Sequence, residues 1–196
     1  MKNSIVSLEH SAFSSLYLPR RRAAAAIVAG LAVGCSCWLL APGSLAWASL
    51  PLALALAWAS AVDIDRYILP DLITLGLVLA GLSLHATDES TALLDASLGA
   101  AVGYLAMAGT ALIYERVRRR PGLGLGDAKL LAAAGAWLGW KALPVVLLLG
   151  SLGALAFVPL IAARAGRKTL IQVLPFGPFL ALAFLAAWVA QPWPFG

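Results

Sequence analysis

A chain of 196 residues that is 62% hydrophobic and only 12% charged, with a mean hydropathy of +0.90, does not read as a water-soluble globular domain. Roughly a quarter of the residues in such domains are charged. The length suits one polytopic membrane domain and leaves no room for a second globular module of ordinary size, and the formal charge of +5 reads as membrane topology, so no nucleic-acid partner is expected.

Residues 1–22 are mixed and polar and are expected to form a short cytoplasmic tail. Arg20-Arg21-Arg22 then leads into Ala23–Ala41, a stretch without a charge and close to the ~20 apolar residues that a spanning helix requires. Ala46-Trp47-Ala48 imitates a signal-cleavage site. The chain stays apolar from Ser44 through Val62, however, so Pro42-Gly43 is read as a turn between two spans. Further spans are expected at Leu72–Ala86, Ala92–Tyr114, Ala142–Ala163 and Thr169–Ala190, with a shorter one at Ala128–Trp140. The prediction is an all-α bundle of about seven transmembrane helices in a single domain, residues 23–190, followed by a short tail at 191–196.

Charge supports counting the short span. With the amino terminus inside and seven crossings, Lys141 alone among 14 basic residues falls outside, as the positive-inside rule expects. The outer loop around Thr87–Leu94 holds Asp88 and Glu89 and no base. Six crossings would export Arg164, Arg167 and Lys168. Cys35 and Cys37 sit inside an apolar run, too close together for a disulfide and with no second pair to complete a zinc site. No metal site and no cofactor are expected.

Two segments place carboxylates at the edge of apolar runs. One is Asp63-Ile64-Asp65-Arg66-Tyr67-Ile68-Leu69-Pro70-Asp71; the other is Gly124-Leu125-Gly126-Asp127-Ala128-Lys129. Acids bordering hydrocarbon are costly, so they pair, face water or do chemistry. In the seven-span topology Asp63 ends the second span and Asp127 opens the fifth, both at the cytoplasmic face. Two close carboxylates share a proton, so that one can activate a water while the other donates a hydrogen bond to a carbonyl oxygen. Gly124 and Gly126 are expected to permit unusual backbone and close approach of a substrate strand. Structural roles compete with these readings: Asp71 and Asp127 both fit helix N-caps, Asp65 fits a solvated pair with Arg66, and Lys129 either snorkels to the headgroups or meets a substrate carboxylate. Seven Trp fit interfacial anchoring.

These motifs, with the long second segment through Trp140 and a third, Leu174-Pro175-Phe176-Gly177-Pro178-Phe179, resemble the type IV prepilin peptidases, bacterial GxGD intramembrane aspartyl proteases. The resemblance implies a catalytic pair, Asp63 and Asp127, with Gly124 and Gly126 shaping the loop, and Pro175, Gly177 and Pro178 breaking the last helix beside the site. It implies hydrolysis after a glycine in the basic leader of a prepilin or pseudopilin, at the inner membrane and facing the cytoplasm, with pilus or secretion machinery as further partners. Longer members carry a cytoplasmic domain with paired CxxC motifs, to which nothing here corresponds, so peptidase activity without N-methyl transfer is expected. The competing readings are a proton-coupled carrier, which favours acids in mid-span, and a catalytically silent assembly factor, against which the intact aspartates count.

Overall fold

The computed structural model describes residues 18–40, 46–86, 90–119, 124–165 and 175–190. Most of the expected amino-terminal tail, the carboxy-terminal tail and the Pro42-Gly43 turn lie outside them. Among the described residues there are seven α-helices and no strand: α1 (Arg20–Leu40), α2 (Ser49–Arg66), α3 (Asp71–His85), α4 (Ser90–Arg118), α5 (Leu125–Leu138), α6 (Leu143–Ala165) and α7 (Gly177–Val189). Two stretches, Ala92–Arg118 and Trp140–Pro159, are long and apolar enough to cross a membrane. Large apolar side chains such as Val28, Leu79, Leu105, Val117 and Leu155 point outward on several helices. So much exposed apolar surface suits lipid rather than water.

Glycine sets the closest helix contacts. On α1, Gly30 and Gly34 are four residues apart, and a Cβ on Gly30 would stand 3.0 Å from the Leu54 backbone of α2. On α4, Gly99 and Gly103 repeat the spacing against α5: a Cβ on Gly99 would collide with the Gly135 carbonyl, and one on Gly103 would lie 2.7 Å from the Leu131 carbonyl oxygen. Small residues at this spacing let backbones touch, the main source of helix cohesion where burial from water offers little. The pairing order, 99 with 135 and 103 with 131, makes α4 and α5 antiparallel. Helix α5 is the centre of the bundle, with Leu130, Leu131, Ala133, Ala134 and Ala136 wholly buried.

The far end of the bundle is aromatic. Trp137 of α5 donates its indole N–H to the Leu77 carbonyl of α3 at 2.7 Å and meets Phe184 and Trp188 of α7 edge-on. Trp188 in turn donates to Ser49 Oγ, at the start of α2, at 2.8 Å. These two Trp are buried core residues rather than interfacial anchors. Interior packing and satisfied N–H groups outweigh interfacial placement for them.

Several local expectations change. Helix α4 begins at Ser90, so the outer loop expected up to Leu94 is already helical there. Pro175 precedes the last described helix, Gly177 is its first residue and Pro178 lies in its first turn. A proline costs nothing there, because early helical amides have no partner to lose. Residues 169–174 of the expected last span lie outside the described residues.

Candidate active site

Helix α2 ends where Tyr67 turns left-handed (φ 56°) and returns its N–H to the Asp63 carbonyl at 2.8 Å. Pro70 then precedes α3. This stop leaves Asp63 in the last turn of α2, facing inward at 6% exposure. Asp127 stands in the first turn of α5, at 9% exposure, behind the N-cap Gly124. The first residue of α7 closes the arrangement: the Gly177 N–H donates to Asp63 Oδ2 at 3.1 Å. One helix end and two helix beginnings therefore converge, and the unpaired amides and dipole of a helix start favour a carboxylate there.

Four buried polar or charged side chains are found among the described residues: Ser49, Asp63, Thr74 and Asp127. Ser49 accepts from Trp188, Thr74 donates to the carbonyls of Pro70 and Asp71, and Asp63 accepts from Gly177. Asp127 differs. Its carboxylate accepts no hydrogen bond from the described residues, although Asp63 is close enough for its charge to act on it. Buried polar groups in folded proteins nearly always have partners, and an exception calls for an explanation. Two acids held in electrostatic contact, one anchored and one open, can divide a single proton and work on a water between them.

The profile of the type IV leader peptidase family matches residues 50–160, more than half of the chain and a stretch that contains both aspartates. The chain belongs to the type IV leader peptidase family. Among curated proteins this chain is 42% identical over 155 residues to a protein of Aeromonas hydrophila named prepilin leader peptidase/N-methyltransferase, covering 79% of the chain and 52% of that relative. A protein of the same name from Burkholderia pseudomallei is 43% identical over 143 residues, covering 73% and 46%, and one from Stutzerimonas stutzeri is 38% identical over 169 residues, covering 85% and 56%. The chain thus spans about half the length of the curated relatives it matches. No solved structure matches it.

Within this fold, the residues singled out by sequence divide into two sets. Asp63, Asp127, Gly126 and Gly177 come together, while Lys129 is directed elsewhere and Pro175 and Pro178 only flank the first turn of α7. Gly124 has ordinary extended backbone (φ −76°, ψ 136°), so it uses none of glycine's conformational freedom. Gly126 matters for space instead, since a Cβ there would lie 2.9 Å from Leu69 Cβ. Asp127 is not an N-cap, because α5 begins earlier, at Leu125. Asp71 makes no cap either; its carboxylate pairs with Lys129, which ties the start of α3 to the start of α5. Asp65 reaches Arg22 of α1.

Two participants escape sequence reasoning. Leu69, buried with Pro70 just after the exposed Ile68, packs against both Gly126 and Gly177, joining the two glycines that flank the acids. A lone apolar residue in a turn carries no pattern that marks this. The Gly177 amide is the other. Its signal was present, since Gly-Pro after an aromatic is a helix opening as readily as a helix break.

Proposed function

We propose that this chain is an intramembrane aspartic endopeptidase that removes the basic leader from type IV prepilins or pseudopilins after a glycine. Asp63 and Asp127 are the catalytic residues in this reading, and the observation that carries it is the buried Asp127 carboxylate, unpartnered among the described residues, beside the anchored Asp63. The Gly177 N–H stabilises the charged form of Asp63, which takes a proton from the attacking water. The proton-bearing Asp127 hydrogen-bonds the scissile carbonyl oxygen and steadies the tetrahedral species that follows. The proton on Asp63 then passes to the leaving amine, so that the pair returns to one shared proton. No metal or covalent intermediate is needed.

The seven helices are read as seven crossings of the bacterial inner membrane by one domain, residues 23–190. Arg22, Asp63, Asp71, Lys129 and Gly177 share one end of the bundle through their contacts, and Lys141 belongs to the other. That distribution supports a cytoplasmic site, where the leader lies while its apolar stem remains in the bilayer. Lipid and the prepilin are the partners this implies, with pilus or secretion machinery supplying the substrate.

The test is reconstitution of the full chain in vesicles with a prepilin. The expected result is one cut after the glycine, read by mass spectrometry and unaffected by chelators. Proton flux without any cut would transfer the acids to a carrier. The Gly177 contact gives a sharper check, because a Cβ there would stand 2.7 Å from Asp63 Oδ2. Gly177→Ala is expected to reduce kcat by about 10- to 100-fold by displacing that carboxylate a few tenths of an ångström or more. Gly153→Ala on α6, whose Cβ would meet Phe179 at an ordinary 3.5 Å, should leave turnover near the parent value. Equal turnover in the two variants would remove Gly177 from the site.

A further inference from the structure

Helices α1 and α7 both pack on α2 but barely touch each other. The space left between them is a trough of about 600 Å³, with α2 as its floor and Ala29, Val33, Ala57, Ile64, Pro178 and Leu182 among its walls. Along α1 it runs from Arg22 to Val33, and along α2 from Ala53 to Ile64. At the helical rise this is about 16 Å, or three turns. Its rim is apolar and faces outward, with Leu182 60% exposed.

The trough is continuous with the acids at one end only. Ile64 follows Asp63 in the chain and Pro178 follows Gly177, so the walls lead directly to the Asp63–Gly177 hydrogen bond. Arg22 stands at the same end and pairs with Asp65. A second cavity of about 400 Å³, between α2 and α3, extends toward the aromatic end along Trp47, Ser83 and Trp137 and lacks this continuity.

We propose that the trough receives the apolar helical stem of the substrate, laid along α2 with the cleaved bond at Asp63, and that Asp65 receives a basic residue of the leader in place of Arg22. The proposal rests on the peptidase reading above and gives it a substrate-binding surface. Length and charge select this occupant. Three turns of an apolar helix fill the walls, and a helix with a basic flank presents its positive charge where the trough already holds a cation on Asp65. Ala25, Ala29 and Ala57 keep that wall low enough for a helix to lie close.

The test uses the full chain with two substrates. One is a prepilin with its stem; the other is a water-soluble peptide carrying the leader and only a few residues beyond the glycine. Ala29→Trp fills the trough from the exposed side of α1. It is expected to raise KM for the stemmed substrate about 10-fold or more with kcat within about twofold, the pattern of lost ground-state binding. The soluble peptide should be cut as by the parent, and Ser83→Trp in the second cavity should change neither substrate. Asp65→Asn should raise KM for both substrates, which share the leader. An unchanged KM for the stemmed substrate in Ala29→Trp overturns the proposal, as does an equal loss on the soluble peptide. An unchanged KM in Asp65→Asn overturns its charged half. A photo-crosslinking residue at position 29 in the Asp127→Asn background reads binding without turnover. Capture of the prepilin supports the trough, whereas capture of lipid, of residues 1–17 or of a second copy with prepilin present overturns it. If the parent fails to cut either substrate while capture persists, the peptidase reading falls and the trough stands.

Discussion

Asn in place of Asp127 is expected to lower leader cleavage by about 10³-fold or more, within the range that positioned proton-transfer groups contribute. Asp63→Asn should do the same. The double variant should be little worse than either single one, because residues that act as a unit are non-additive. Folding should respond differently from activity. Asp127 is buried without a hydrogen-bond partner among the described residues, so Asn in its place breaks no contact and ends the cost of keeping two acids with one proton in an apolar interior. Asp63→Asn keeps an oxygen that can accept the Gly177 N–H. Both variants should therefore insert in the membrane and melt at or above the parent temperature. Leader processing on a gel, beside thermal unfolding in detergent, checks both halves. Full processing by either variant would end the aspartyl mechanism, and a matching collapse of stability would make the acids structural.

The second large effect concerns assembly rather than chemistry. Gly135→Ala is expected to destabilise the fold by about 3 kcal/mol or more, the upper end of overpacking costs. The added Cβ would collide with the Gly99 carbonyl, backbone against backbone, and no side chain is available to swing away. Gly109→Ala lies on the same α4 helix with nothing within 4 Å of its Cβ position. That substitution should be neutral or stabilising by about 0.5–1 kcal/mol, since Ala is the better helix former. Denaturant or thermal unfolding of the two variants side by side measures the difference. Equal losses would remove the Gly99–Gly135 contact as the reason that α4 and α5 pack.

The order of the helices is legible in the sequence because apolar runs and Pro or Gly breaks are local signals. The Asp127-bearing helix is short, yet it could be recognised through charge, since omitting it exports Arg164, Arg167 and Lys168. Contacts between distant residues are a different matter. Nothing local distinguishes Lys129 meeting Asp71 from Lys129 reaching the headgroups, and Asp65 beside Arg66 conceals its reach to Arg22. Trp137 and Trp188 look interfacial because they lie near helix ends, but those ends are covered by neighbouring helices. The acids themselves were visible because a carboxylate in an apolar border is rare. The amide that holds one of them was hidden, because backbone donors leave no residue signature.

The aromatic end binds four helices of the bundle together. One indole on α5 grips α3 through the Leu77 carbonyl and α7 through two rings, and a second indole fastens α7 to α2. At the opposite tips α7 meets α2 through one amide-to-carboxylate bond and a leucine against two glycines, beside the ion pairs Lys129–Asp71 and Arg22–Asp65. On the peptidase reading, the aromatic links hold the register of α2, α3, α5 and α7 while the acid-bearing end meets its substrate.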